Sequence, residues 1–106
     1  MRKQAFGTSA APLTPALRIG DTVYVSGQVP VDAHGQVVGE DVADQTAQVL
    51  ANLEEQLAAA GASKADVVKT LVILANVRRD FAAMNSVYAA FFPDPKPTRS
   101  TIGAGA

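Results

Sequence analysis

Val67-Val68-Lys69-Thr70-Leu71-Val72-Ile73-Leu74 is the stretch on which the fold turns, because six of its eight residues are apolar and most of those are β-branched. A nearly continuous run of this kind suits a central strand covered on both faces rather than a half-solvated one. Just before it, Ser63-Lys64-Ala65-Asp66 has the spacing of a capping box and predicts a single helical turn. Further upstream the period is helical. Val42, Val49, Leu53, Leu57 and Ala60 fall on one face, while Asp44, Gln48, Asn52, Glu55 and Gln56 fall largely on the other. Asp41 is the expected N-cap, Glu40 and Asp44 place negative charge at the positive end of the helix dipole, and Gly61 supplies a left-handed stop. The predicted helix runs over 41–60.

Downstream of the central strand, Phe81, Met84, Tyr88 and Phe91 recur at helical spacing, which predicts a second helix from near Asp80 to Pro93. Pro95 and Pro97 then extend the chain into Thr98-Arg99-Ser100-Thr101-Ile102, read as another strand. Residues 1–40 alternate extended segments with turn signals. Thr22-Val23-Tyr24-Val25-Ser26 is a strand candidate, and Gly20-Asp21 could turn it back on a strand around Leu13 to Ile19. Pro12 and Pro15 mark that earlier strand as an edge or an irregular one. Val31 to Val38 reads as a loop and a short return strand.

The order is strands, helix, strand, helix, strand, which two helices on one face of a mixed sheet satisfy. The fold class is therefore α+β, in one domain over 1–106. In such a sheet alternate residues, Val23 and Val25 or Leu71 and Ile73, meet water on the face away from the helices. The chain has no second helical layer to cover them, so a closed ring of identical subunits is expected.

Composition removes several kinds of chemistry. The 106 residues carry a formal net charge of −1, with ten acidic and nine basic side chains, and offer no basic field to gather phosphates. Nucleic acid is an unfavoured partner. With no cysteine there can be no disulfide, thiolate metal site or cysteine nucleophile. His34 is the one histidine, and it lies in the turn-like run Asp32-Ala33-His34-Gly35, so neither a histidine triad nor a histidine metal site fits within one chain. No metal and no cofactor are expected. Arg2 and Lys3 are not followed by an apolar run of leader length, and no stretch approaches the roughly 18 apolar residues of a membrane span. A cytoplasmic protein is the default expectation.

Three stretches carry a resemblance: Val25-Ser26-Gly27-Gln28-Val29-Pro30, Asn85-Ser86-Val87-Tyr88-Ala89-Ala90-Phe91-Phe92, and Pro97-Thr98-Arg99-Ser100-Thr101. In this order and spacing the chain resembles the RidA/YjgF family of enamine and imine deaminases along essentially its whole length. The resemblance implies a chorismate-mutase-like fold assembled as a homotrimer with ligand clefts between subunits. It also implies hydrolysis of 2-aminoacrylate and 2-imino acids to 2-keto acids and ammonia.

By this resemblance Arg99 is the carboxylate clamp, a task suited to its planar fork of donors, with an interfacial salt bridge as its structural alternative. Backbone groups of Gly27 and Thr101 would face the imine nitrogen and the attacking water, making Arg99, Gly27 and Thr101 the catalytic set. Ser26, Asn85 and Leu13 join Arg99 in binding the substrate. Ser26 and Gly27 could equally be an ordinary strand end, and Asn85 could simply bond a neighbouring backbone. Tyr88, Phe91 and Phe92 are expected in the core.

Three departures matter. Deaminases of the family carry a tyrosine near the ligand where Leu13 stands, and Thr101 replaces a common cysteine. The family pattern continues past Ala106 into a strand bearing a glutamate that positions water. The sequence is therefore expected to be incomplete, since losing a central strand would leave backbone groups unpaired. A non-catalytic carboxylate- or keto-acid-binding module of the same fold is the alternative. A ribonuclease, the third class attributed to relatives, is disfavoured by the acidic balance.

Overall fold

The computed structural model describes residues 2–105. Three short strands, β1 (Gln4–Phe6), β2 (Ala16–Ile19) and β3 (Thr22–Val25), are followed by α1 (Val42–Ala59) and a 3₁₀ turn (Lys64–Asp66). Then come β4 (Lys69–Leu74), α2 (Val77–Phe91) and β5 (Thr98–Gly103). The class is α+β with two helices packed on mixed strands, as the element order predicts. The pairing divides into a three-stranded antiparallel sheet, β1-β2-β3, and a parallel pair, β4-β5, whose crossover is α2.

α1 starts and stops where its end residues dictate. The Asp41 carboxylate accepts from the Asp44 amide at 2.9 Å, satisfying one of the orphan donors of the first turn. At the other end Gly61 takes φ 78°, and the amides of Gly61 and Ala62 bond back to the carbonyls of Ala58 and Leu57. Arg18 adds a donor from β2 to the Ala60 carbonyl at 2.8 Å. In the following turn the Ser63 amide donates to the Asp66 carboxylate at 2.9 Å.

Several boundaries differ from the expectations. α2 begins at Val77 rather than near Asp80, because Asn76 caps it by accepting from the Arg79 amide at 3.0 Å. β4, expected as a central strand covered on both faces, begins at Lys69, two residues late, since Val67 and Val68 follow directly on the 3₁₀ turn; among the described residues it pairs with β5 alone and leaves one face open. β2 is no edge strand. It begins after Pro15, keeps all its amide donors, and pairs with β1 on one side and β3 on the other. The return strand in 31–38 reduces to one bridge between Val31 and Val37, around a turn in which Asp32 accepts from the amides of His34 and Gln36.

The core lies between the helices and β4. Leu50, Leu74, Met84, Tyr88 and Phe92 are buried together, flanked by Val42, Leu53, Val72, Val77 and Phe91. Met84, only 1% exposed, is the most enclosed, and burying a side chain of that size contributes roughly 1.5–3 kcal/mol. Leu50 belongs to this face of α1 although the helical count favoured its neighbour Val49.

The outward faces follow the pleat. On β4, Leu71 and Ile73 are 58% and 57% exposed, joined by Ile102 of β5 at 47%, as the alternation requires. On β3 the alternation is reversed relative to expectation, with Tyr24 outward at 61% and Val23 and Val25 partly covered. The strand enters one residue out of the assumed phase, and a shift of one residue exchanges the faces.

Candidate functional site

Parallel register places Arg99 beside Thr70 and Thr101 beside Val72. Arg99 and Thr101 therefore share the face of β5 that looks toward α2, with Thr98, Ser100 and Ile102 on the opposite face. The Arg99 guanidinium lies over two rings of α2, with Cζ 4.7 Å from the centroid of Tyr88 and 5.6 Å from that of Phe81. These two ring residues are seven apart, two turns of one helix stripe. Among the described residues Arg99 makes no ion pair and no side-chain hydrogen bond, so its donors are directed at no protein oxygen. Among the described residues no acid pairs with it, and the interfacial salt bridge concerns a neighbouring copy.

Asn85, Tyr88, Ala89, Lys96, Pro97 and Arg99 line an open hollow of about 400 Å³ between α2 and the start of β5. Two of the residues singled out by sequence, Asn85 and Arg99, are thus brought together. Lys96, not anticipated, is a second cation on the rim, but its ammonium is occupied. It donates to the carbonyls of Ala89 at 2.9 Å and Phe92 at 2.8 Å, and pairs with Asp94 at 3.6 Å. A cation on the last carbonyls of α2 also complements the helix dipole. Among the described residues no carboxylate lines this hollow.

Ser26, Gly27 and Leu13 are elsewhere. The Ser26 hydroxyl donates to the Thr14 carbonyl at 2.6 Å and its amide to the Pro15 carbonyl at 3.0 Å, which ties the end of β3 to the segment entering β2. Leu13, 51% exposed, lies in that same segment. A Cβ built on Gly27 would meet nothing within 4 Å, so the chain itself does not require glycine there. The named residues form two groups on one chain, Arg99 with Asn85 on the α2 side and Leu13, Ser26 and Gly27 on the β2–β3 side.

A larger hollow, about 500 Å³, opens between the N-terminal ends of the helices and is lined by Glu40, Asp41, Gln45, Arg79 and Asp80 among others. Its one cation is already used: the Arg79 fork donates to Asp80 at 2.8 and 2.9 Å. That hydrogen bond, ahead of the bare attraction of the charges, raises the Arg79 pKa. The same bond is the main cause holding the Asp80 carboxyl below its ordinary value. None of the residues singled out by the resemblance lines it.

Sequence reasoning missed Thr70, Phe81 and Lys96 as neighbours of Arg99. Phe81 and Tyr88, two turns apart, mark one helix stripe in the sequence, but that Arg99 lies over it follows from the β4–β5 register and the α2 crossover, and Lys96 between two prolines carries no signal.

The site thus consists of a guanidinium with no counter-ion among the described residues, at the mouth of a helix–strand hollow in an α+β domain. Residues 3–106 match the family described as Endoribonuclease L-PSP. The chain belongs to that family, the RidA/YjgF group that its motifs resemble. Protein mmf1, mitochondrial, from Schizosaccharomyces pombe is 46% identical over 95 residues, covering 90% of this chain and 57% of its own. Reactive Intermediate Deaminase A, chloroplastic, from Arabidopsis thaliana is 38% identical and covers 100% of this chain and 59% of its own. The chain therefore spans rather more than half the length of these two relatives. The crystal structure of RidA from the Antarctic bacterium Psychrobacter sp. PAMC 21119 superposes with a TM-score of 0.89 at 33% identity, over 97% of this chain and 87% of that one.

Proposed function

We propose that the protein hydrolyses 2-aminoacrylate and related 2-imino acids to 2-keto acids and ammonia. The observation that carries this reading is Arg99, a guanidinium with no counter-ion among the described residues, in a hollow of small-metabolite size, in a chain related to a protein named Reactive Intermediate Deaminase A. Its fork would take the substrate carboxylate through two parallel charge-assisted hydrogen bonds. An imine carbon is already electrophilic, so no covalent nucleophile is needed. 2-Aminoacrylate first tautomerises, its terminal carbon taking a proton as the nitrogen loses one, to give 2-iminopropanoate; water then adds to the C=N carbon, the nitrogen takes a proton, and the resulting carbinolamine passes its hydroxyl proton to nitrogen and loses ammonia as the C=O bond forms. Holding carboxylate and water in register can lower such a barrier by up to about 7–11 kcal/mol.

The second group, Ser26, Gly27 and Leu13, would complete the site from a neighbouring copy in a homotrimer, with backbone groups of Gly27 and Thr101 facing the imine nitrogen and the water. A cytoplasmic setting belongs to this proposal. No helix among the described residues is long and apolar enough to cross a membrane, and the relatives include mitochondrial and chloroplastic proteins by name.

A hollow without a carboxylate, and Leu13 in place of a phenol, favour a second reading, a carboxylate- or keto-acid-binding module that does not turn over. The deciding experiment generates imine in place with an amino-acid oxidase, lets semicarbazide compete for it, and compares the protein with Arg99→Ala. Faster imine loss with the protein and none with the variant supports the deaminase. Unchanged imine loss with every amino acid tried, alongside Arg99-dependent keto-acid binding, establishes the module instead.

A further inference from the structure

We propose that Tyr88 is a positioning residue for Arg99, with Thr70 fixing Tyr88 in turn. This rests on the reading of Arg99 as a carboxylate clamp. An arginine side chain surrenders considerable rotamer freedom to be held in one place, and Arg99 has no oxygen partner within the described chain to hold it. What holds its head is ring surface, chiefly Tyr88 at 4.7 Å. Attraction to the ring quadrupole fixes a guanidinium without giving its N–H donors an oxygen. A salt bridge would fix it equally well but consume the fork that a substrate carboxylate needs.

The ring can serve as a fixed platform because it is itself immobilised. Tyr88 is 5% exposed and its ring lies 4.8 Å from that of Phe92. Its hydroxyl is hydrogen-bonded to Thr70 Oγ1 at 2.6 Å. Thr70 is the register partner of Arg99 across the β4–β5 ladder. The contacts therefore close a circuit: backbone of Arg99 to Thr70, Thr70 hydroxyl to Tyr88, Tyr88 ring back to the Arg99 head. The circuit ties the position of the guanidinium to the strand that carries it, so the clamp needs no loop to shape it.

The test measures affinity for 2-oxobutanoate and for its uncharged amide, 2-oxobutanamide, by titration calorimetry on the full chain. General damage to the hollow weakens both probes alike, whereas a misplaced Arg99 lowers only the carboxylate-over-amide ratio. Tyr88→Leu, which removes the ring, is expected to lower that ratio by about tenfold, the scale of a partly desolvated cation–π contact. Tyr88→Phe and Thr70→Val each remove one end of the same hydrogen bond and are expected to lower it by similar amounts, about two- to threefold, with the double variant no worse than either. A ratio unchanged in Tyr88→Leu, with a lowered melting temperature, overturns the proposal and makes Tyr88 a core residue only. If Tyr88→Leu does not fold, unchanged ratios in the other two variants overturn it. A wild-type protein that prefers neither probe removes the clamp reading itself, and with it this inference; wild-type preference abolished by Arg99→Ala keeps that reading whatever the Tyr88 variants do.

Discussion

Two glycines separate what the chain needs for itself from what something outside it needs. Gly39 sits at φ 83°, and a Cβ there would come within 2.8 Å of the Asp44 Cβ and 3.0 Å of the Gln45 amide nitrogen, in the first turn of α1. Gly39→Ala is expected to destabilise the fold by about 1–3 kcal/mol, from left-handed backbone strain and overlap together. Gly27→Ala meets nothing and is expected to stay within about 0.5 kcal/mol of the wild type. Thermal melts of the two variants check this directly. An activity lost in Gly27→Ala at unchanged stability would then report a ligand or a neighbouring copy pressed against that backbone. At this scale the sequence was informative where a residue type has one use, as with Asp41, Gly61 and Asp66. It was silent about Thr70 and Phe81, whose place beside Arg99 depends on the β4–β5 register and the crossover of α2 rather than on any local pattern.

Element ends show the same division. α1 is legible because its apolar period, its Asp41 cap and its Gly61 stop agree. The start of α2 was misplaced because its first turn, Val77-Arg78-Arg79-Asp80, is mostly charged, and a periodicity count begins only at Phe81. The signal lay in Asn76 as a cap. That first turn also contains the pH-sensitive pair. The Asp80 carboxyl is held below its ordinary value by Arg79, so its contribution to stability is complete above the unfolded carboxyl pKa, near 4, and fades as pH falls through the lower folded value. Asp80→Asn is therefore expected to narrow the gap between melting temperatures at pH 6 and pH 2.5, at low salt. The effect is small because the pair is exposed and screened. An unchanged gap would show that other carboxylates govern the acid limb.

For the whole molecule, Leu71, Ile73 and Ile102 form an apolar patch on the side of the β4–β5 pair away from the helices. A face of this kind is the reason the alternation in the sequence already pointed to an assembly of identical subunits. Ile73→Asp is expected to shift the proposed trimer to monomer in light scattering behind a sizing column, and to lose carboxylate binding if the clefts lie between subunits. A monomeric wild type would remove the trimer from the proposal. The α+β class and the two-helix layer were readable from element order. The division of the strands into two sheets was not, because sequence alternation reports which face a residue takes and not which strand lies beside it.

The two sheets also differ in how far along the chain their partners lie, and that sets an order in time. β2 and β3 meet across Gly20 and Asp21, a hairpin closure of microseconds, whereas β4 and β5 can pair only after everything from Ala75 to Pro97 has been gathered into α2 and the segment that follows it. Arg99 lies on the late side of this divide. During refolding, amides of the hairpin should gain protection before the chain can hold an anion, so the capacity to bind is among the last properties the folding molecule acquires.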